Sequence, residues 1–130
     1  MILGMVTHLR QVALHVEDMN RAVAFYRDIV GLDFIARFDP PGLAFFDLGG
    51  TRLLLEAGAP SSLLYLGVDD VAGMTERLRQ AGVTIDSDPH VIHVDETGQF
   101  GPPGEAEEMS CFRDSENNLV GLAGRRTVAP

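Results

Sequence analysis

Arg52 and Glu56 are the residues of this sequence best spaced to do chemistry together. Both fall in the run TRLLLE at 51 to 56, and positions of equal parity on an extended strand share one face. Arg52, Leu54 and Glu56 therefore project the same way. A guanidinium there would hold a ligand carboxylate or keep Glu56 ionised; the plainer reading is a rim ion pair worth less than about 1 kcal/mol. In a dry cavity away from Arg52, Glu56 would instead act as general base, taking a proton from a carbon next to a carbonyl. It is the candidate catalytic residue. His15 and Tyr65 are the candidate partner acid or orienting groups, and Tyr65 reads equally well as packing.

The remaining reactive side chains build less. Gln11 and His15 share a face of the alternating run LRQVALHVE, but four residues of strand separate them by about 13 Å, too far to hold one ion. His90 and His93, three apart in an extended segment, point to opposite faces, and His8 precedes the first strand. Cys111 is the single cysteine. It excludes an intramolecular disulfide and any CxxC zinc or redox motif, reads as a small apolar side chain rather than a nucleophile, and fits a reducing, cytoplasmic location.

These residues need elements to position them. In residues 9 to 17, Val12, Leu14 and Val16 alternate with Gln11, Ala13, His15 and Glu17, which predicts a half-buried strand. From Met19 to Val30 apolar residues recur at three and four, with Asp18 as N-cap and Gly31 as stop, which predicts one amphipathic helix. Strands follow at about 32 to 38, 43 to 48 and 51 to 57, separated by Asp39-Pro40-Pro41-Gly42 and by the hairpin turn Gly49-Gly50. The order is βαβββ. It then restarts: residues 11 to 18 superpose on 63 to 70 at an offset of 52, aliphatics and capping Asp in register, with a second helix from Val71 to about Gln80. Beyond it come Val83 to Ile85, an extended stretch through His90 to Val94, a Gly/Pro-rich loop at 95 to 105, and strands near 108 to 113 and 118 to 123. Asp95-Glu96 and Glu105 to Glu108 flank residues 97 to 104 as an acidic lip, which usually means a solvated face.

Composition bounds the function. Ten Lys and Arg against nineteen Asp and Glu give 10 − 19 = −9 over 130 residues. A chain of this length buries about two-thirds of the surface its unfolded form exposes, so one domain, 1 to 130, can stand without disulfide or structural metal. The negative field and the lack of basic clusters beyond Arg125-Arg126, in the tail, argue against nucleic acid. The same charge would draw a cationic small molecule, although such acidity commonly serves solubility alone. The apolar opening MILGMV has no basic residue before it and is too short for a signal peptide or a membrane span, so no membrane association is expected.

Two βαβββ units carrying VALHVEDMNRAVAFYRDIVGL at 12 to 32, LGGTRLLLE at 48 to 56 and the hairpin FRDSENNLVGL at 112 to 122 resemble the vicinal oxygen chelate superfamily of glyoxalase I, bleomycin-resistance proteins and extradiol dioxygenases. The resemblance implies an α+β fold in which two modules, about 9 to 57 and 62 to 123, form a U-shaped, open eight-stranded mixed sheet that binds a small molecule in its concave cup. It also implies a homodimer. In the hairpin, Ser115 and Asn117 stand where the family has Pro and Gly, and Asn tolerates the left-handed backbone the turn needs. Metal-dependent members draw four ligands from places that correspond here to Gln11, Glu56, Leu63 and Gly121. Leu and Gly offer no donor, and a divalent ion generally needs three protein ligands. The resemblance thus leads to a ligand-binding or antibiotic-binding protein without the usual metal, its cup lined by Gln11, His15, Arg52, Leu54, Glu56, Leu63 and Tyr65. The alternative is a lyase, isomerase or dioxygenase using Glu56 as base, or a rearranged divalent metal held by Gln11, Glu56 and further ligands.

Overall fold

A computed structural model describes residues 8 to 128, and the apolar opening 1 to 7 lies outside them. The chain divides into two compact units, the first ending at Ser62 and the second beginning at Leu63.

In unit one the alternating segment forms β1 (Gln11–His15), followed by α1 (Met19–Ala24), a π-helical segment (Phe25–Val30), β2 (Asp33–Phe38), β3 (Leu43–Leu48) and β4 (Thr51–Glu56). The sheet order is β1-β4-β3-β2, with β1 parallel to β4 and the other pairs antiparallel. Asp18 caps α1 by accepting from the Arg21 amide at 3.1 Å. The single helix expected from Met19 to Val30 is corrected here: after Ala24 it widens into the π form, with the Gly31 amide bonding the Tyr26 carbonyl at 3.1 Å. The wider turn carries the neighbouring rings Phe25 and Tyr26 both into the core, where Tyr26 is fully buried with Leu14, Phe46, Leu53 and Leu55.

Unit two repeats the plan with β5 (Leu64–Gly67), α2 (Val71–Gln80), β6 (Ile85–Asp95), β7 (Glu105–Arg113) and β8 (Leu119–Thr127), in sheet order β5-β8-β7-β6. Both helices start at the same offset of 52, and Asp70 repeats the Asp18 cap on the Gly73 amide at 2.9 Å. Leu66, Leu78, Phe112, Val120 and Leu122 fill its core. The eight expected strands thus form two mixed four-stranded sheets, joined among the described residues by α1 with its π-helical extension and by α2, an α+β fold. The hairpin at 114 to 118 closes on Asp114, whose Oδ1 accepts from the Glu116 and Asn118 amides at 2.8 Å, and Asn117 takes φ 65°. Strand limits differ from the sequence reading in two places that matter. Leu63 precedes β5 and is half exposed rather than inward-facing. Arg125 and Arg126 belong to β8, not to a tail, because β7 and β8 pair from Glu105↔Thr127 to Arg113↔Leu119.

Candidate functional site

Each unit carries a cavity. That of unit one holds about 550 Å³, and β1 and β4 send Gln11, Arg52, Leu54 and Glu56 into it. Ile35, Phe38, Leu43 and Phe45, from β2 and β3, supply an apolar wall that the alternation of β1 and β4 did not reveal. His15 stands outside this lining. Arg52 Nε donates to Gln11 Oε1 at 3.0 Å, and its guanidinium carbon lies 5.9 Å from the Phe45 ring centre. The expected Arg52–Glu56 pair does not form. Register explains why: Gln11 partners Arg52 and His15 partners Glu56 across adjacent strands, which run about 5 Å apart, whereas Arg52 and Glu56 sit four residues apart along one strand.

The cavity of unit two is larger, about 760 Å³, and mostly carbon-lined. Tyr65 reaches it from β5, Ile92 and His93 from β6, Met109 from β7, and Phe100 from the loop between β6 and β7. His93 and Phe100 meet edge to face, ring centres 6.4 Å apart. His90 is not part of this lining and bonds the Asp88 carbonyl through Nδ1 at 2.9 Å. Gly121 is what lets Tyr65 lie where it does, since a Cβ at 121 would stand 2.6 Å from Tyr65 Cδ1. Of the cup residues expected on this side, Tyr65 lines the cavity and Leu63 does not.

At the rim, the acidic lip is corrected to an ion-paired cluster. Asp95 is 1% exposed, and its carboxylate accepts from the Gly98, Gln99 and Phe100 amides at 3.1, 2.9 and 2.9 Å and from Arg125 Nη2 at 2.9 Å. The Phe100 amide above all, with the Gln99 amide and Arg125, outweighs the opposing effect of burial and holds this carboxyl at about 2, below its ordinary 3.8. Arg125 also meets Glu105 at 3.1 Å and Glu107 at 3.7 Å, and Arg126 meets Glu108 at 3.5 Å. Acidic β7 and basic β8 neutralise each other by register: Glu107 partners Arg125. In the sequence the only signal was an Asp opening a Gly-rich loop, the pattern of a side chain that caps backbone amides.

Residues 8–122 match the sequence model of the Glyoxalase/Bleomycin resistance protein/Dioxygenase superfamily. The chain belongs to that superfamily. Among solved structures it is similar to TnmS3, an antibiotic binding protein from Streptomyces sp. CB03234, at 25% identity over 93% of this chain and 98% of that one, TM-score 0.67. It is also similar to lactoylglutathione lyase from Agrobacterium tumefaciens (24% identity, 92% and 94% covered, TM-score 0.67) and to a protein from the mobile metagenome of V. Pseudocholerae (22%, 95% and 98%, TM-score 0.70). These last two likenesses are of fold.

A divalent ion of the kind bound by metal-dependent members of the superfamily needs about three protein donors. Gln11 already accepts the Arg52 Nε hydrogen on its side-chain oxygen, which puts a positive charge beside that donor atom. Leu63 and Gly121 bring no donor. Ala123, which lies opposite Gly67 as Glu56 lies opposite His15, brings no donor either. Among the described residues no three His, Cys, Asp or Glu side chains cluster closely enough to hold a metal. This donor set does not fit a divalent centre with three protein ligands.

Proposed function

We propose that this member of the superfamily binds a small organic molecule bearing a flat aromatic ring, and holds it without a catalytic metal. One observation carries the reading: Tyr65, Ile92 and Phe100, all about half exposed or more, gather in one concave cavity of unit two. Exposed apolar side chains cluster this way where a ligand or partner covers them. The charges beside them, Glu107 and Arg125, face each other. A cavity whose carbon is open and whose charges are matched favours dispersion and ring stacking over proton transfer. The antibiotic-binding relative supports the same direction. A homodimer in the cytoplasm is the proposed setting; among the described residues no helix is long and apolar enough to cross a membrane.

Calorimetric titration of the purified chain with acridine tests this. Saturable binding that Tyr65→Ala and Phe100→Ala each weaken, and that Glu56→Gln leaves unchanged, is the expected result. Binding indifferent to both aromatic substitutions would refute it. Turnover of a carbonyl substrate abolished by Glu56→Gln would establish the enzymatic alternative instead.

A further inference from the structure

The loop 96 to 104, between β6 and β7, has little to fasten it. It contains Gly98, Gly101 and Gly104, and its one large apolar side chain outside proline, Phe100, is 75% exposed. A segment of this composition should sample many conformations, because glycine has the most backbone freedom to lose. Here its order comes from one carboxylate. Asp95 takes three successive amides, at Gly98, Gln99 and Phe100, and the Gly104 amide returns to the Asp95 carbonyl at 2.8 Å. Arg125 closes the far side, with Nη2 bonding both Asp95 Oδ2 at 2.9 Å and the Pro102 carbonyl at 3.1 Å. Gly101 lets the guanidinium pass, since a Cβ there would lie 2.8 Å from Arg125 Nε.

Desolvating a charge pair is costly, and here the three amides and the guanidinium around the Asp95 carboxylate offset that cost. None of these bonds carries the Phe100 ring into the core. What they fix is where that ring stands, edge-on to His93 in the wall of the cavity. We propose that Asp95 and Arg125 are positioning residues: their clamp on loop 96 to 104 sets Phe100 as a rigid aromatic wall and thereby selects ligands with a flat ring. This rests on the ligand reading above, because the wall matters only if the cavity is filled.

Two readouts separate the clamp from the ligand. Phe100→Trp gives the chain its sole tryptophan, whose anisotropy reports loop order. Adding Asp95→Asn should lower that anisotropy and, with Phe100 intact, speed amide exchange at 98 to 100 more than tenfold. Asp95→Asn should also weaken acridine by about tenfold, a stacking contact's worth. On a Phe100→Ala background the same substitution should cost no further affinity, which a merely structural role would not produce. If Asp95→Asn does not fold, Gly101→Ala, which keeps every charge, should show the same changes. Amides still protected in both variants, or an equal affinity loss with and without Phe100, would overturn the proposal. If acridine does not bind the unsubstituted chain, the ligand reading falls and anisotropy alone decides the clamp: a drop supports it, and no drop defeats it.

Discussion

In unit one the charged and polar groups project from β1 and β4 into the cavity, Gln11 and Arg52 bonded to each other and Glu56 beyond them. In unit two the matching strands carry Tyr65, Gly67, Ala123 and Gly121, and the charges beside them, Glu107 and Arg125, face each other while Arg125 also fastens a loop. The two copies share strand order, helix caps and parallel β1–β4 and β5–β8 pairs. The backbone plan therefore leaves open which side chains occupy its concave face. One copy has a polar wall, while the other presents rings and small residues, and the missing Cβ at Gly121 leaves room for the Tyr65 ring.

The comparison can be broken at the level of each core. Leu55→Ala in unit one and Leu122→Ala in unit two, both fully buried, should each cost about 2–5 kcal/mol in urea unfolding. Two separate transitions, each moved by its own substitution, would show the units unfolding independently; one shared transition would show them coupled.

Next in size is Gly121→Glu, which puts a carboxylate at the place the family resemblance assigns to a metal ligand. It should destabilise by about 1–3 kcal/mol, because its Cβ would enter the Tyr65 ring. Thermal melting in the presence and absence of zinc checks this. Rescue by zinc would mean that the ring yields and a metal site can be rebuilt by one substitution.

Acid should act on unit two through Asp95. Its carboxyl titrates at about 2 when folded and near 3.8 when unfolded. A group lowered in the folded state gives stability that is complete above the unfolded value and is lost as pH falls through the folded one. Wild type and Asp95→Asn should therefore differ fully above about pH 4 and converge toward pH 2. Arg125, Glu105 and Glu107 surround the carboxylate, so exchange at the Gly98, Gln99 and Phe100 amides is the local readout that separates it from the glutamates.

The smallest effect belongs to unit one. Arg52→Ala removes a part-buried hydrogen bond to Gln11 and should cost about 0.5–1.5 kcal/mol, with Gln11→Ala costing no more. Thermal melts of the two single variants and the double check this, and additive losses would show that the pair does not interact.

Much of the scaffold was legible in the residues. The offset of 52, the capping Asp residues and the parity of Gln11, Arg52, Leu54 and Glu56 all follow from local rules of strand and helix. What was not legible depended on registers that local rules do not set. Arg52 chose between two carboxylate or amide oxygens by which strand lay beside it, and only pairing of β1 with β4 decides that. The acidic residues at 105 to 108 read as solvated because the basic pair that answers them lies some twenty residues on, and the β7–β8 register alone brings them together. Phe100 was invisible as a wall because its place is set by hydrogen bonds to Asp95, not by a hydrophobic period.

On the proposed function, an aromatic wall and not an ion holds the ligand. Acridine affinity measured by calorimetry in chelator and again with added zinc tests it most directly. The account predicts the same dissociation constant in both conditions, weakened by Phe100→Ala in each. Affinity that appears only with zinc, or that Glu56→Gln abolishes, would contradict it.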